Sequence, residues 1–205
     1  IMIKHFLDIN NFNVKELRKI LSLAKKIKKN PIKYSSILKN KSLGLIFEKQ
    51  STRTRLSFNL GMKKLGGNVI EINKKQFGFG TRKSASDILK VMSQYLDVIM
   101  IRNDNHKEII TLSQLNCLPV INGLSNYSHP CQILSDIFTI EEYLGKIENK
   151  TITWMGDINN VLISLIQAAE IFKFKLNILS HKSLIKNFAK VLNLKKLKFT
   201  SFIFN

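Results

Sequence analysis

Two cysteines stand in this 205-residue chain, Cys117 and Cys131. That is too few for a disulfide framework, and they show no metal-ligand spacing, so a reducing cytoplasm is the expected setting. No uninterrupted apolar run approaches the ~20 residues that a membrane helix needs. Residues 1–10 carry Lys4, His5 and Asp8 with no long apolar region, so no signal peptide is visible. The dinucleotide fingerprint G-x-G-x-x-G is missing after every predicted strand, and so is the phosphate loop G-x-x-x-x-G-K-[ST]. A nicotinamide or ATP reading is left without support. Acidic residues are scarce too, 14 against 33 basic ones, for a formal net charge of +19.

A charge that high invites a nucleic-acid reading. Its make-up argues otherwise. Of the 33 basic residues only five are Arg, and the lysines are spread along the whole length rather than gathered in a stripe. Asn and Ile are plentiful as well. The pattern fits a compositional bias and a solvated Lys-rich surface, so no specific nucleic-acid partner and no membrane partner are expected. With 44% hydrophobic residues the chain has ample material for a core, which excludes disorder.

Periodicity divides the chain into alternating elements. Helical spacing of apolar residues covers Asn13 to Lys29, Thr52 to Leu65, Ser84 to Tyr95, Lys107 to Leu115 and Pro130 to Leu144. Short apolar runs between them predict strands at Ser42 to Phe47, Asn68 to Ile72, Val98 to Ile101 and Pro119 to Asn122. Lys74 to Lys83 and Gly123 to Ser128 read as loops. Gly145 to Lys150 reads as a joint, after which strands at 151–155, 175–179 and 199–204 alternate with helices at 160–172 and 183–192. Strand–helix alternation predicts parallel sheets with helices on both faces. The expected fold is α/β, two doubly wound parallel-sheet domains, 1–145 and 146–205. The second has only three strands and ends on an apolar one, so it reads as incomplete and the chain as cut short.

Two of the five arginines fall in Ser51-Thr52-Arg53-Thr54-Arg55, between a predicted strand and a predicted helix. A helix N-terminus offers free N–H groups and a positive dipole end, and Arg forks onto phosphate oxygens as Lys cannot. An isolated S-T-R would be an N-cap with solvated arginines. Five consecutive donors at such a turn, in a chain that otherwise uses Lys, point to an anion site. Arg102 directly follows the third strand, and ligands of open α/β sheets bind at the carboxyl ends of strands. The bland alternative is a surface Arg paired with a carboxylate. His129-Pro130-Cys131-Gln132 follows the fourth strand, with Pro130 at a first helical position. His129 can donate to a carbonyl oxygen, and Gln132 can both accept from an amide and donate to an oxygen. Taken alone they would be a capping His and a solvated Gln. Cys131 reads as helix packing rather than as a nucleophile. Met155-Gly156-Asp157-Ile158-Asn159-Asn160 ends the first strand of the second run and can approach a ligand closely.

The run Phe47-Glu48-Lys49-Gln50-Ser51-Thr52-Arg53-Thr54-Arg55-Leu56-Ser57-Phe58 resembles the carbamoyl-phosphate signature of transcarbamoylases, and His129-Pro130-Cys131-Gln132 resembles their second signature. Lys49, two residues before Ser51, is similar to the ornithine branch; the aspartate branch usually carries Pro just before the Ser. Val120-Ile121-Asn122-Gly123-Leu124-Ser125 and the pair Asn159-Asn160 also resemble the ornithine enzymes. The resemblance implies that Ser51, Thr52, Arg53 and Thr54 hold the phosphate of carbamoyl phosphate. It implies that Arg102 and His129, helped by Thr54, polarise the carbamoyl oxygen. Pro130, Cys131 and Gln132 would complete the carbamoyl-phosphate site, and Asn160 would meet ornithine. The first domain would then bind carbamoyl phosphate and the second, partial one ornithine. The implied reaction is attack of the δ-amine of ornithine on the carbamoyl carbon, with phosphate leaving and citrulline as product, a step of arginine biosynthesis. No metal or organic cofactor is implied. The family's habit is a homotrimer with sites at subunit interfaces.

Departures from the pattern are also legible. Where the family brings a Gln from a neighbouring subunit, this chain has Gly78, with Gln76 two residues earlier. Lys83 replaces an expected Glu. The late Asp-x-x-x-Ser-Met-Gly and His-Cys-Leu-Pro motifs do not occur in the sequence. Two alternatives follow: a transcarbamoylase for another amine or amino acid such as aspartate, and an inactive basic anion-binding remnant.

Overall fold

The computed structural model describes residues 3–48, 51–73, 77, 82–184 and 197–204, with the side chains of residues 82–84 and 204 left aside. Six helices are described: α1 (Val14–Lys29), α2 (Thr52–Lys64), α3 (Arg82–Met92), α4 (His106–Ser113), α5 (Pro130–Leu144) and α6 (Asn160–Phe172). Seven strands accompany them: β1 (Ser42–Phe47), β2 (Asn68–Asn73), β3 (Val98–Arg102), β4 (Val120–Leu124), β5 (Thr151–Met155), β6 (Lys175–Ser180) and β7 (Thr200–Phe204). Every pairing is parallel, in one sheet of order β2-β1-β3-β4 and a second of order β5-β6-β7. The α/β class and the two parallel sheets are as the alternation predicts. Lys49, Gln50, Gln76, Gly78 and most of the helix expected at 183–192 lie outside the described residues.

The chain forms two compact units, residues 1–7 with 18–126, and residues 8–17 with 127–205. Packing thus groups α5 with α6, whereas the alternation of elements restarts only after Gly145. The 145–150 segment is held down within the second unit. Ile147 is fully buried and its N–H donates to Glu141 Oε1 at 2.9 Å, while Asn149 N–H donates to the Lys173 carbonyl.

In the first unit β1 and β3 are apolar along nearly their whole length, as a strand covered on both faces must be. Alternation then sorts their side chains. Ile46, Ile99, Ile101 and Val120 meet Leu89 and Met92 of α3 and Ile109 and Leu112 of α4 on one face. Leu43, Leu45, Phe47 and Met100 meet Met62 of α2 on the other. The outer edge of β4 is covered by the N-terminal segment. Phe6 N–H donates to the Val120 carbonyl and Asn122 N–H to the Phe6 carbonyl, both at 2.8 Å, which blunts the edge against pairing with another chain. In the second unit α6 is buried almost all round, Leu162 to Ala169 and Phe172, and Glu170 on it accepts N–H bonds from Lys198 and Phe199 at the start of β7.

Helix α2 ends in a turn that only glycine fits. Gly66 has φ +87°, and a Cβ there would lie 2.7 Å from the Ser35 carbonyl oxygen and 3.0 Å from Ser36 Cα. Both are backbone atoms and cannot swing away. Gly66→Ala is expected to cost about 1–3 kcal/mol. Gly61, inside α2 with nothing within 4 Å of its would-be Cβ, is the opposite case. Gly61→Ala is expected to stabilise by up to ~1 kcal/mol through helix propensity. Urea melts of both variants check the opposite signs; equal shifts would contradict the geometry.

Candidate functional site

The strand order places the ends of β1, β3 and β4 side by side, Phe47 opposite Arg102 and Arg102 opposite Leu124. The register slips there: Ile101 pairs with Asn122 but Arg102 with Leu124, so Gly123 is an extra residue on β4. A bulge of this kind re-aims the neighbouring side chains. A Cβ at Gly123 would lie 2.2 Å from Met100 Sδ, so a side chain there would require the buried Met100 to shift. The loop expected from Gly123 onward therefore begins as strand.

Ser51 stands at the N-cap of α2 in extended conformation, φ −152°, and its side chain makes no capping bond. No acidic residue lies in the first turn. The N-terminal N–H groups and dipole of α2 therefore meet no carboxylate of their own helix, which suits an anion. Thr52 and Arg53 are exposed and Thr54 half-buried. Arg102 reaches this turn from the end of β3 and its Nη1 donates to Thr54 Oγ1 at 3.1 Å. Among the described residues this bond uses one of the five guanidinium N–H donors of Arg102. Burial holds Arg102 below its usual basicity; the Asp104 carboxylate works against that, and the positive charge of Arg53 adds to it. Two guanidiniums close enough to oppose each other, tempered by Asp104, suit a small polyanion.

Arg55, the last of the five donors, is turned away. Its Nη1 lies 3.2 Å from Glu71 Oε2 on β2 and its guanidinium stacks 4.9 Å above the Phe47 ring. It braces α2 against the sheet. The cluster of the first unit therefore consists of Ser51, Thr52, Arg53, Thr54 and Arg102.

His129, Pro130, Cys131, Gln132 and Asn160 all belong to the second unit. His129 is the N-cap residue of α5 without a side-chain capping bond, and Pro130 begins the helix as expected. The His129 N–H donates to Ser164 Oγ of α6 at 2.9 Å, a buried hydroxyl that fixes the approach to α5. Burial pushes the Cys131 thiol up to about 12, so it stays protonated at neutral pH, as a packing residue should. Gln132 is engaged: its Nε2 donates to Asp136 Oδ1 one turn on at 2.8 Å. The i,i+4 spacing of that pair is legible in the sequence. Asn160 opens α6, while Asn159 caps it, its Oδ1 accepting from Val161 N–H and Leu162 N–H.

Residues 4–142 match the family described as aspartate/ornithine carbamoyltransferase, carbamoyl-P binding domain. The chain is 44% identical to an ornithine carbamoyltransferase of Brucella ovis over 183 residues, 88% of this chain and 58% of that protein. It is 44% identical to one from Ruthia magnifica over 184 residues, 89% of this chain and 62% of that protein. The chain thus spans about three fifths of these relatives' length. Among solved structures, the ornithine carbamoyltransferase of Burkholderia thailandensis superimposes with a TM-score of 0.89 at 36% identity, covering 98% of this chain and 70% of that one. The catalytic subunit of M. jannaschii aspartate transcarbamoylase gives 0.82 at 30% identity, covering 99% and 68%.

Proposed function

The chain belongs to the aspartate/ornithine carbamoyltransferase family, and on that premise we propose that its first domain, residues 1–145, binds carbamoyl phosphate and serves carbamoyl transfer to ornithine. The observation that carries the reading is the meeting of Arg102 with Thr54 beside Arg53, at an α2 whose first turn has no acidic residue. In this reading Ser51, Thr52, Arg53 and Thr54 hold the phosphate. By the family resemblance, Arg102 and His129 are assigned to polarising the carbamoyl oxygen, and Pro130, Cys131 and Gln132 to holding the carbamoyl group. Residues 146–205 supply part of an ornithine site through Asn160, and the assembly is a homotrimer.

The proposed reaction needs little covalent help from the protein. The δ-amine of ornithine attacks the carbamoyl carbon, a C–N bond forms, and the C–O bond to phosphate breaks as the amine loses a proton. Citrulline and phosphate result. Negative charge grows on the carbamoyl oxygen and on the departing phosphate, which is where fixed guanidiniums act best. Gln132 donates through Nε2 to Asp136, and its Oε1 is the atom that would accept from the carbamoyl amide.

The test is citrulline formation by the full chain from carbamoyl phosphate and ornithine, beside Arg53→Ala and with aspartate as the competing acceptor. Activity on ornithine that falls at least ~100-fold in Arg53→Ala is the expected result. Carbamoylation of aspartate instead would move the chain to the other branch. No binding of carbamoyl phosphate at all, alongside salt-sensitive binding of unrelated polyanions, would support the anion-binding remnant.

A further inference from the structure

Glu48 directly follows β1 and lies outside the anion cluster, yet it grips the turn that carries Arg102 from two sides. Its backbone N–H donates to the Arg102 carbonyl at 2.9 Å. Its Oε2 accepts the Asp104 N–H at 3.1 Å. The same turn is held from β4, where Asn103 N–H donates to the Leu124 carbonyl and Asn126 N–H to the Asp104 carbonyl. Among these contacts the carboxylate of Glu48 is the one that a side-chain substitution can remove, and a charged acceptor makes a stronger bond than a neutral one.

Arg102 has most to lose from a slack turn. Its guanidinium sits near that of Arg53, and like charges drift apart unless their backbones are fixed. Asp104, the nearby counter-charge, rides on the same turn. Releasing the Asp104 N–H would shift the cation and its counter-charge together.

We propose that Glu48 is a positioning residue for Arg102: its carboxylate clamps the Asp104 N–H and thereby aims the guanidinium at Thr54 and at the ligand. The functional consequence rests on the carbamoyl-phosphate reading above; the clamp itself does not.

The experiment compares the full chain with Glu48→Ala, Glu48→Gln, Arg102→Ala and the double variant Glu48→Ala/Arg102→Ala. Carbamoyl-phosphate affinity is measured by calorimetry. Exchange of the Asp104 amide and the Arg102 Nε–H signal are followed by NMR without ligand. Glu48→Ala should weaken binding about tenfold and speed Asp104 exchange. Glu48→Gln keeps an oxygen that accepts the same N–H and should stay within about twofold of the parent. In the Arg102→Ala background the loss of Glu48 should add almost nothing, because the two act as one unit. Additive losses would mean that Glu48 acts independently, and unchanged affinity in Glu48→Ala would mean that it positions nothing; either overturns the proposal. If the parent chain binds no carbamoyl phosphate, the functional reading fails separately. The clamp is then judged on the ligand-free spectra: a shifted Arg102 signal and faster Asp104 exchange sustain it, and unchanged spectra sink it. Should Glu48→Ala fail to fold, Glu48→Asp, which draws the acceptor back by one methylene, takes its place under the same criteria.

Discussion

Arg102→Ala is expected to weaken carbamoyl-phosphate binding by about 30- to 150-fold, roughly 2–3 kcal/mol for the loss of charge-assisted hydrogen bonds. Arg102 is the cation that the fold itself delivers. It closes β3, is partly shielded from water, and its Nη1 donates to Thr54 Oγ1 at 3.1 Å. A ligand anion would therefore meet a pre-aimed donor, and less ordering is needed on binding. Arg102→Lys should recover only part of the loss, since an ammonium keeps the charge but not the planar fork. Glu71→Gln is the matched control. It releases Arg55 from its ion pair, removes a carboxylate from the same unit, and should leave affinity within about twofold. Isothermal titration with carbamoyl phosphate and with inorganic phosphate measures all three. An Arg102→Ala chain that binds as tightly as the parent would take Arg102 out of the site.

The separation between Arg102 and Arg55 shows how far the sequence is readable. Both sit next to an element boundary in a chain poor in Arg, and both read as anion donors. Strand-end logic puts Arg102 at the carboxyl end of β3, a place that depends on β3 alone. Arg55 depends on β2, whose Glu71 comes sixteen positions later and whose pairing beside β1 follows from sheet order. The apolar runs and helical spacings fixed the elements for the same reason: they are local patterns. The bulge at Gly123, the cover of β4 by Phe6, and the grip of Glu170 on the start of β7 are joins between distant segments. No periodicity announces them. Glu48 belongs with these. In sequence it is one more residue of the Phe47 to Phe58 run, and only the meeting of two strand ends shows what its carboxylate holds. Within the second signature Cys131 is the protonated packing thiol that its residue type suggests, while the tie of Gln132 to Asp136 is a local i,i+4 contact.

The second unit gives the other large expected effect. Phe172 closes α6 at 1% exposure, and Phe174, fully buried, starts the approach to β6. Between them Lys173 takes a left-handed conformation, φ 59°, which lets both rings turn inward across a single residue. Removing the Phe172 ring leaves a hole that such a constrained corner cannot close. Phe172→Ala is therefore expected to cost about 3–5 kcal/mol. Against a typical domain stability of roughly 5–15 kcal/mol, that brings the second unit near its unfolding threshold. Because the chain divides into two compact units with separate sheets, the loss should be local. Amides of β5 and β6 should lose hydrogen-exchange protection while those of β1 and β3 keep theirs. Ile101→Ala, a fully buried position between β1 and β4, should give the reverse pattern. Loss of protection in both sheets together, from either substitution, would mean that the two units fold as one cooperative body. Retained protection in β5 and β6 of the Phe172→Ala chain would instead mean that the corner repacks.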